Sequence, residues 1–126
     1  MTITQADVTA LEARVNQKLA SHNAAFVMTV HFSYERLNDV RNNPAISLAE
    51  LESLFERVIA QHMLSIVALN HGDTFNIRCM QSHINMPCAV QKQDTKNGAA
   101  SHKNIVITVM RKERWFSKDP YDFKVA

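Results

Sequence analysis

Two histidines and two arginines gather around one strand-to-helix connection. His31 lies in a strand-like run, Arg36 and Arg41 in the polar stretch after it, and His62 in the helical series that follows. An imidazole exchanges protons near neutral pH and a guanidinium grips phosphate through a planar fork of donors. Together they are the parts needed to hold and cleave a phosphodiester without a metal. Further cations lie downstream. Arg78 interrupts an apolar strand pattern, and Arg111, Lys112 and Arg114 run into Trp115, where three cations could meet phosphate and the indole could stack on a base.

Each group also has a plain structural reading. His31, flanked by Thr29 and Ser33, can simply be a surface histidine. His62 at a helix end can donate to the last carbonyls and be stabilised by the helix dipole, so its functional reading depends on lying near His31. Arg36 and Arg41 sit among Glu35 and Asp39, which suits surface ion pairs equally well. Arg78 must find solvent, a carboxylate or a ligand. The Arg111 to Trp115 segment can be a solvated strand end anchored by its tryptophan.

Other chemistries find less support. His62, His71, His83 and His102 lack the spacing that fixes a metal site, and Cys79 and Cys88 read as buried free thiols. Two glycines in the whole chain exclude Walker-type and Rossmann-type nucleotide loops, and no nucleophile elbow is present. No metal and no cofactor is expected.

The elements that must carry these residues follow from periodicity. Thr4 with Asp7 forms a capping box ahead of Val8, Leu11, Val15 and Leu19, which predicts a first amphipathic helix to about Ala20. Residues 25–34 alternate, with Phe26, Met28, Val30, Phe32 and Tyr34 on a core face and His31 on the other. Asn42-Asn43-Pro44 marks a turn. Ser47 with Glu50 caps a second helix whose stripe is Leu48, Leu51, Leu54, Phe55, Val58 and Ile59, with His62 in its last turn.

Strands are then expected at 64–69 and 74–80, joined as a hairpin through Asn70-His71-Gly72-Asp73, and at 84–91. Pro87 places that third strand at an edge or at a bulge. Residues 92–103 read as a loop, and 104–111 as a central strand that is apolar on both faces. The predicted fold is α+β, with two N-terminal helices flanking a mostly antiparallel sheet of four or five strands in the order α-β-α-β-β-β-β.

At 126 residues, 46% hydrophobic and 21% charged, the chain suits one folded domain over 1–126. The net charge is only +2, but it is unevenly distributed. Residues 1–63 carry five Lys and Arg against seven Asp and Glu, and residues 64–126 carry nine against five. A local basic face is therefore available although the total is small. The N-terminus lacks the basic and apolar regions of a signal peptide and no run reaches membrane-spanning length, so a cytoplasmic protein without membrane contact is expected.

The element order, with VHFSYER carrying His31 and Arg36 and ELESLFERVIAQH carrying Leu54, Phe55 and His62, resembles the RelE-like mRNA endoribonucleases, particularly the phage RegB-type branch. The resemblance spans about residues 26–111. It implies a metal-independent cleavage in which His31 or His62 removes the proton from a 2′-hydroxyl and the 2′-oxygen attacks the adjacent phosphorus. The partner imidazole then protonates the departing 5′-oxygen, leaving a cyclic phosphate, while Arg36, Arg41, Arg78 or Arg111 stabilises the phosphorane. Its expected partner is mRNA, with the ribosome or an antitoxin-like protein as further partners.

Two alternatives keep the fold without the chemistry. One is a non-catalytic RNA-binding module that coats or protects transcripts. The other is a protein-interaction or self-assembling module that uses apolar surface around Met80 and Met86.

Overall fold

The computed structural model describes residues 3–29, 36–39, 41–42, 44–92, 102–112 and 118–126. Three of the residues singled out in the sequence, His31, Arg114 and Trp115, lie outside the described residues, as do most of the expected 92–103 loop and the distal half of the first strand.

Both helices begin where their capping boxes place them. In α1 (Gln5–Leu19) the Asp7 amide donates to Thr4 Oγ1 at 3.1 Å while the Thr4 amide donates to the Asp7 carboxylate at 3.0 Å. In α2 (Leu48–Val67) Ser47 and Glu50 make the same reciprocal pair, both bonds at 3.1 Å. The end of α2 differs from expectation. The helix does not stop at His62, and 64–69 is not a strand: Met63 and Ile66 are buried and extend the stripe of Leu51, Leu54, Phe55 and Val58 by two more turns. Lys92 Nζ donates to the Val67 carbonyl, one of the acceptors left open at the helix end.

The strands among the described residues are β1 (Ala24–Met28), β2 (Thr74–Cys79), β3 (Ile84–Lys92), β4 (His102–Val106), β5 (Met110–Arg111) and β6 (Tyr121–Val125). They form one sheet in the order β1-β4-β3-β2-β6, with β5 extending the β4 side of β3. The class is α+β, but the sheet is mixed rather than mostly antiparallel. β1 runs parallel to β4 and β6 parallel to β2, around the antiparallel β2, β3 and β4/β5. The hairpin joins β2 to β3, because the residues expected to precede β2 as its partner are helical.

The helices do not flank the sheet. α1 and α2 lie together, linked by the ion pairs Arg14–Glu52 and Lys18–Glu56. Phe26 of β1 meets Phe55 of α2 edge-on at 5.0 Å between ring centroids. α1 also covers the outer edge of β1: the Asn16 amide both donates to the Phe26 carbonyl (3.0 Å) and accepts from its N–H (2.8 Å), and Glu12 accepts from the Met28 N–H (2.7 Å). These side chains satisfy backbone groups that an edge strand would otherwise offer to another chain.

Alternation sets the two faces of the sheet. Phe75, Ile77, Cys79, Ile84, Met86 and Cys88 are buried on the helix side. Met86 is thus core, and the Met80 and Met86 surface expected for an interaction module does not form, although Met80 itself is 51% exposed. On the other face the buried Asn76 donates to the buried Asn85 (3.0 Å) and to the more exposed Asp122 (2.9 Å).

Candidate functional site

A one-residue bulge shapes the only part of the described sheet where several candidate cations converge. Cys88 pairs with Val106 and Asn85 with Met110. Three steps along β3 (88 to 85) therefore match four along the opposite strand (106 to 110), and the extra residue falls in 107–109. Pro87 sits opposite. Its carbonyl accepts from the Ile107 N–H at 2.9 Å, so the position where its own donor is missing faces the bulge, where the regular ladder is already interrupted. Pro87 is thus tolerated in a central strand.

The bulge reverses the alternation that the sequence suggests for 104–111. Met110 takes the face away from α2, and Arg111, paired with Ile84, turns to the helix side. There its guanidinium is fully engaged. Nε donates to the Pro44 carbonyl (2.8 Å), Nη1 to the Ser82 carbonyl (2.8 Å), and Nη2 to both Glu50 carboxylate oxygens (2.7 and 2.9 Å). With only 9% of its side chain exposed, Arg111 is a clamp joining the pre-helix loop, the β2–β3 turn and the start of α2. Burial pushes the Glu50 pKa up, but the Arg111 and Ser47 hydrogen bonds outweigh it and hold the carboxyl below its ordinary value.

The segment carrying Arg36 and Arg41 is pinned to the outer edge of β5. Asn42 Oδ1 accepts from the Arg111 N–H at 2.9 Å and its Nδ2 donates to the Arg36 carbonyl at 3.0 Å. Leu37 is buried in the core, and Asn38 exchanges two hydrogen bonds with the backbone of Ile3 (3.0 and 2.8 Å). Arg41 is oriented by Asp39, which accepts from its N–H, Nε and Nη2 at 2.9, 3.1 and 2.7 Å. These bonds, chiefly from the Arg41 side chain and then its N–H, hold the Asp39 carboxyl far below the ordinary carboxylate range. Arg36 Nη1 lies 3.9 Å from the same carboxylate.

A cavity of about 270 Å³ opens between this segment and the bulge. Arg36, Arg41 and Lys112 are the cations around it, Asp39 is its carboxylate, and Ile107, Val109 and Met110 give it an apolar floor. Three cations against one carboxylate leave it electropositive. Lys112 is held through its backbone, its N–H donating to the His83 carbonyl at 3.0 Å, and its ammonium has no ion pair among the described residues.

The remaining candidates lie elsewhere. Arg78 is nearly buried and donates through Nε to Asp122 at 3.1 Å, the carboxylate that a strand-interior cation requires. His62 packs on Phe123, with ring centroids 5.4 Å apart, and its Nε2 donates to the Lys124 carbonyl at 2.6 Å, with Gln61 and Arg57 binding Ala126 beside it. This anchors β6 to α2, with β2 and β3 lying between it and the bulge strand. While that bond holds, Nε2 cannot take a proton from a substrate.

Asn42, Asp39 and Ile107 complete the site without having been marked as functional in the sequence. Asn42 is legible there only as part of a turn, and Ile107 only as one of an alternating set. The available signal was Pro87, which suggested an edge or a bulge for its own strand; the bulge lies instead in the strand opposite it. A second cavity, of about 330 Å³, lies where α2 meets the β2–β3 turn. In it Arg57 Nη2 and the Ser82 N–H reach Cys79 Sγ at 3.5 and 3.4 Å; burial pushes this thiol's pKa up, but the hydrogen bonds from Ser82 and Arg57 outweigh it and leave it below the ordinary value.

Among the described residues no three His, Cys, Asp or Glu side chains gather as a metal site, and no helix is long and apolar enough to cross a membrane. No family model matches the sequence, and neither a curated protein nor a solved structure matches it.

Proposed function

We propose that this protein binds RNA, with a backbone phosphate seated against Arg36, Arg41 and Lys112. The observation that carries the reading is the convergence of cations from two distant stretches of sequence on one concave, apolar-floored cavity. Arginine forks and a lysine ammonium around a hollow suit a tetrahedral anion, and phosphate contacts supply most of the affinity of nucleic-acid binders. Asp39 offsets one of the three positive charges and leaves the cavity with a positive excess; its oxygens take Nε and Nη2 of Arg41 and so orient that side chain.

The test is binding of a labelled single-stranded RNA at low salt, in EDTA, by the wild type and by Arg41→Ala and Lys112→Ala. Each variant loses affinity several-fold on this reading; undiminished binding in both would remove the pocket from the account.

Cleavage is the second reading, favoured by the position of His31 five residues before Arg36. A base at His31 with phosphate held by Arg36 would give the metal-independent endoribonuclease that the RelE-like resemblance implies. On this version His31 carries the proton transfer and His62 anchors the C-terminal strand.

A further inference from the structure

The cavity's floor is as informative as its rim. A patch of lysine and arginine alone would serve any phosphate polymer, double-stranded or single. Here the cations surround Ile107, Val109 and Met110, and Ile107 stands 43% exposed at the bulge, on a sheet surface where an aliphatic side chain gains nothing from contact with water. A duplex turns its bases inward and offers such a surface only sugars and phosphates, leaving the floor wet. An unpaired nucleotide offers both a phosphate for the rim and an apolar base face for the floor. The size agrees, since about 270 Å³ accommodates one small ligand rather than a helix.

We propose, resting on the RNA-binding reading above, that the cavity is a subsite for one unpaired nucleotide, its phosphate on Arg36, Arg41 and Lys112 and its base covering Ile107 and Met110. The bulge sets which residues line it: Met110 stands opposite Asn85 on the face away from α2, Arg111 turns to the helix side, and Lys112 takes the position that Arg111 would hold in an unbulged register. The protein then selects single-stranded RNA by the cover that a base provides, without reading hydrogen bonds on the base edge.

The experiment compares a short labelled single strand, the blunt duplex of the same strand and inorganic polyphosphate, each titrated with wild type, Ile107→Asn and Ile107→Leu. Ile107 is half-exposed, so both variants fold, as a thermal melt checks. The expected result is a single strand bound about tenfold tighter than the duplex, a five- to tenfold loss of single-strand affinity in Ile107→Asn, restoration in Ile107→Leu, and no change for polyphosphate. Equal affinity for duplex and single strand, with Ile107→Asn silent, would overturn the subsite while leaving the RNA-binding reading intact. Failure of the wild type to bind any RNA at low salt would overturn that reading and the subsite with it.

Discussion

Asn42 Oδ1 accepts the N–H of Arg111 at 2.9 Å, and this bond fastens the loop carrying Arg36 and Arg41 to the strand that leads into Lys112. The same side chain holds the Arg36 carbonyl. One neutral amide therefore sets the spacing of three cations. Asn42→Ala is expected to leave the part-buried Arg111 N–H without its side-chain acceptor, to lower stability by about 1–2 kcal/mol, and to weaken RNA binding although no charge is lost. Asn42→Asp keeps the acceptor but adds an anion to the cavity, and should weaken binding further while unfolding later than Asn42→Ala. Urea midpoints and RNA titrations on both variants check this; unchanged affinity in Asn42→Ala would mean that the loop holds its place without the bond.

Arg111 and Arg41 should separate stability from binding. Arg111 donates to three carbonyl groups and a carboxylate pair, and removing it leaves these acceptors beneath the loop with no donor. Arg111→Ala is expected to cost about 2–4 kcal/mol, less than a fully buried pair because Glu50 retains some solvent. Arg41 is 64% exposed and lies at the rim, so Arg41→Ala should leave the urea midpoint in place and act on RNA affinity alone. The opposite pattern, with Arg41→Ala unfolding the protein and Arg111→Ala leaving it stable, would contradict the assignment of clamp and ligand.

The difference between these two arginines was hidden in the sequence for a definable reason. Thr4 with Asp7 and Ser47 with Glu50 are local signals, and both helices start on them. The length of α2 was also legible, since Met63 and Ile66 continue the stripe at helical spacing; the β-branched and apolar character of 64–69 read instead as a strand. Which face Arg111 takes depends on a register difference between β3 and the β4/β5 strand. That is a property of two segments about twenty residues apart, and Pro87 was its only trace. The parallel seating of β1 beside β4 and of β6 beside β2 is likewise decided by distant pairings. Arg36, Arg41 and Lys112 could be named from residue type; their meeting at one cavity required the fold.

His102 sets an acid limit on the structure. It is buried on β4, its Nε2 meets Asn104 Oδ1 at 2.8 Å, and its Nδ1 has no partner. Burial holds its pKa below the ordinary 6.5, with the Asn104 bond pulling the other way and Lys92 adding to the depression. The folded protein thus binds this proton more weakly than the unfolded chain. The contribution is fully present above pH 6.5 and is lost as pH falls below that value through the folded pKa, at up to about 1.4 kcal/mol per pH unit. Urea midpoints at pH of about 8 and 6.5 should lie close together, and the midpoint at pH of about 5 should fall below both. In His102→Asn the decline should flatten, whatever happens to the midpoint at high pH; an equally steep decline in the variant would assign the acid sensitivity elsewhere.

Cleavage makes a prediction that binding alone does not. With His31 as the base and water protonating the departing 5′-oxygen, single-turnover cleavage rises with pH to a plateau, persists in EDTA, yields a cyclic phosphate, and disappears in His31→Ala while RNA affinity stays within a few-fold of wild type. Binding, which needs no proton transfer, should be flat with pH. Intact RNA on a denaturing gel, together with a normal binding curve, would leave the binding module as the function.

The most direct test of the central claim is the salt dependence of RNA binding in the wild type and in the double variant Arg41→Ala/Lys112→Ala. One phosphate seated on the three cations predicts that this cavity contributes about −0.7 to the slope of log K against log salt, and removing two of the cations should take that contribution toward zero with a large loss of affinity at low salt. A double variant that keeps both the slope and the affinity of the wild type would show that RNA, if it binds, binds somewhere other than this cavity.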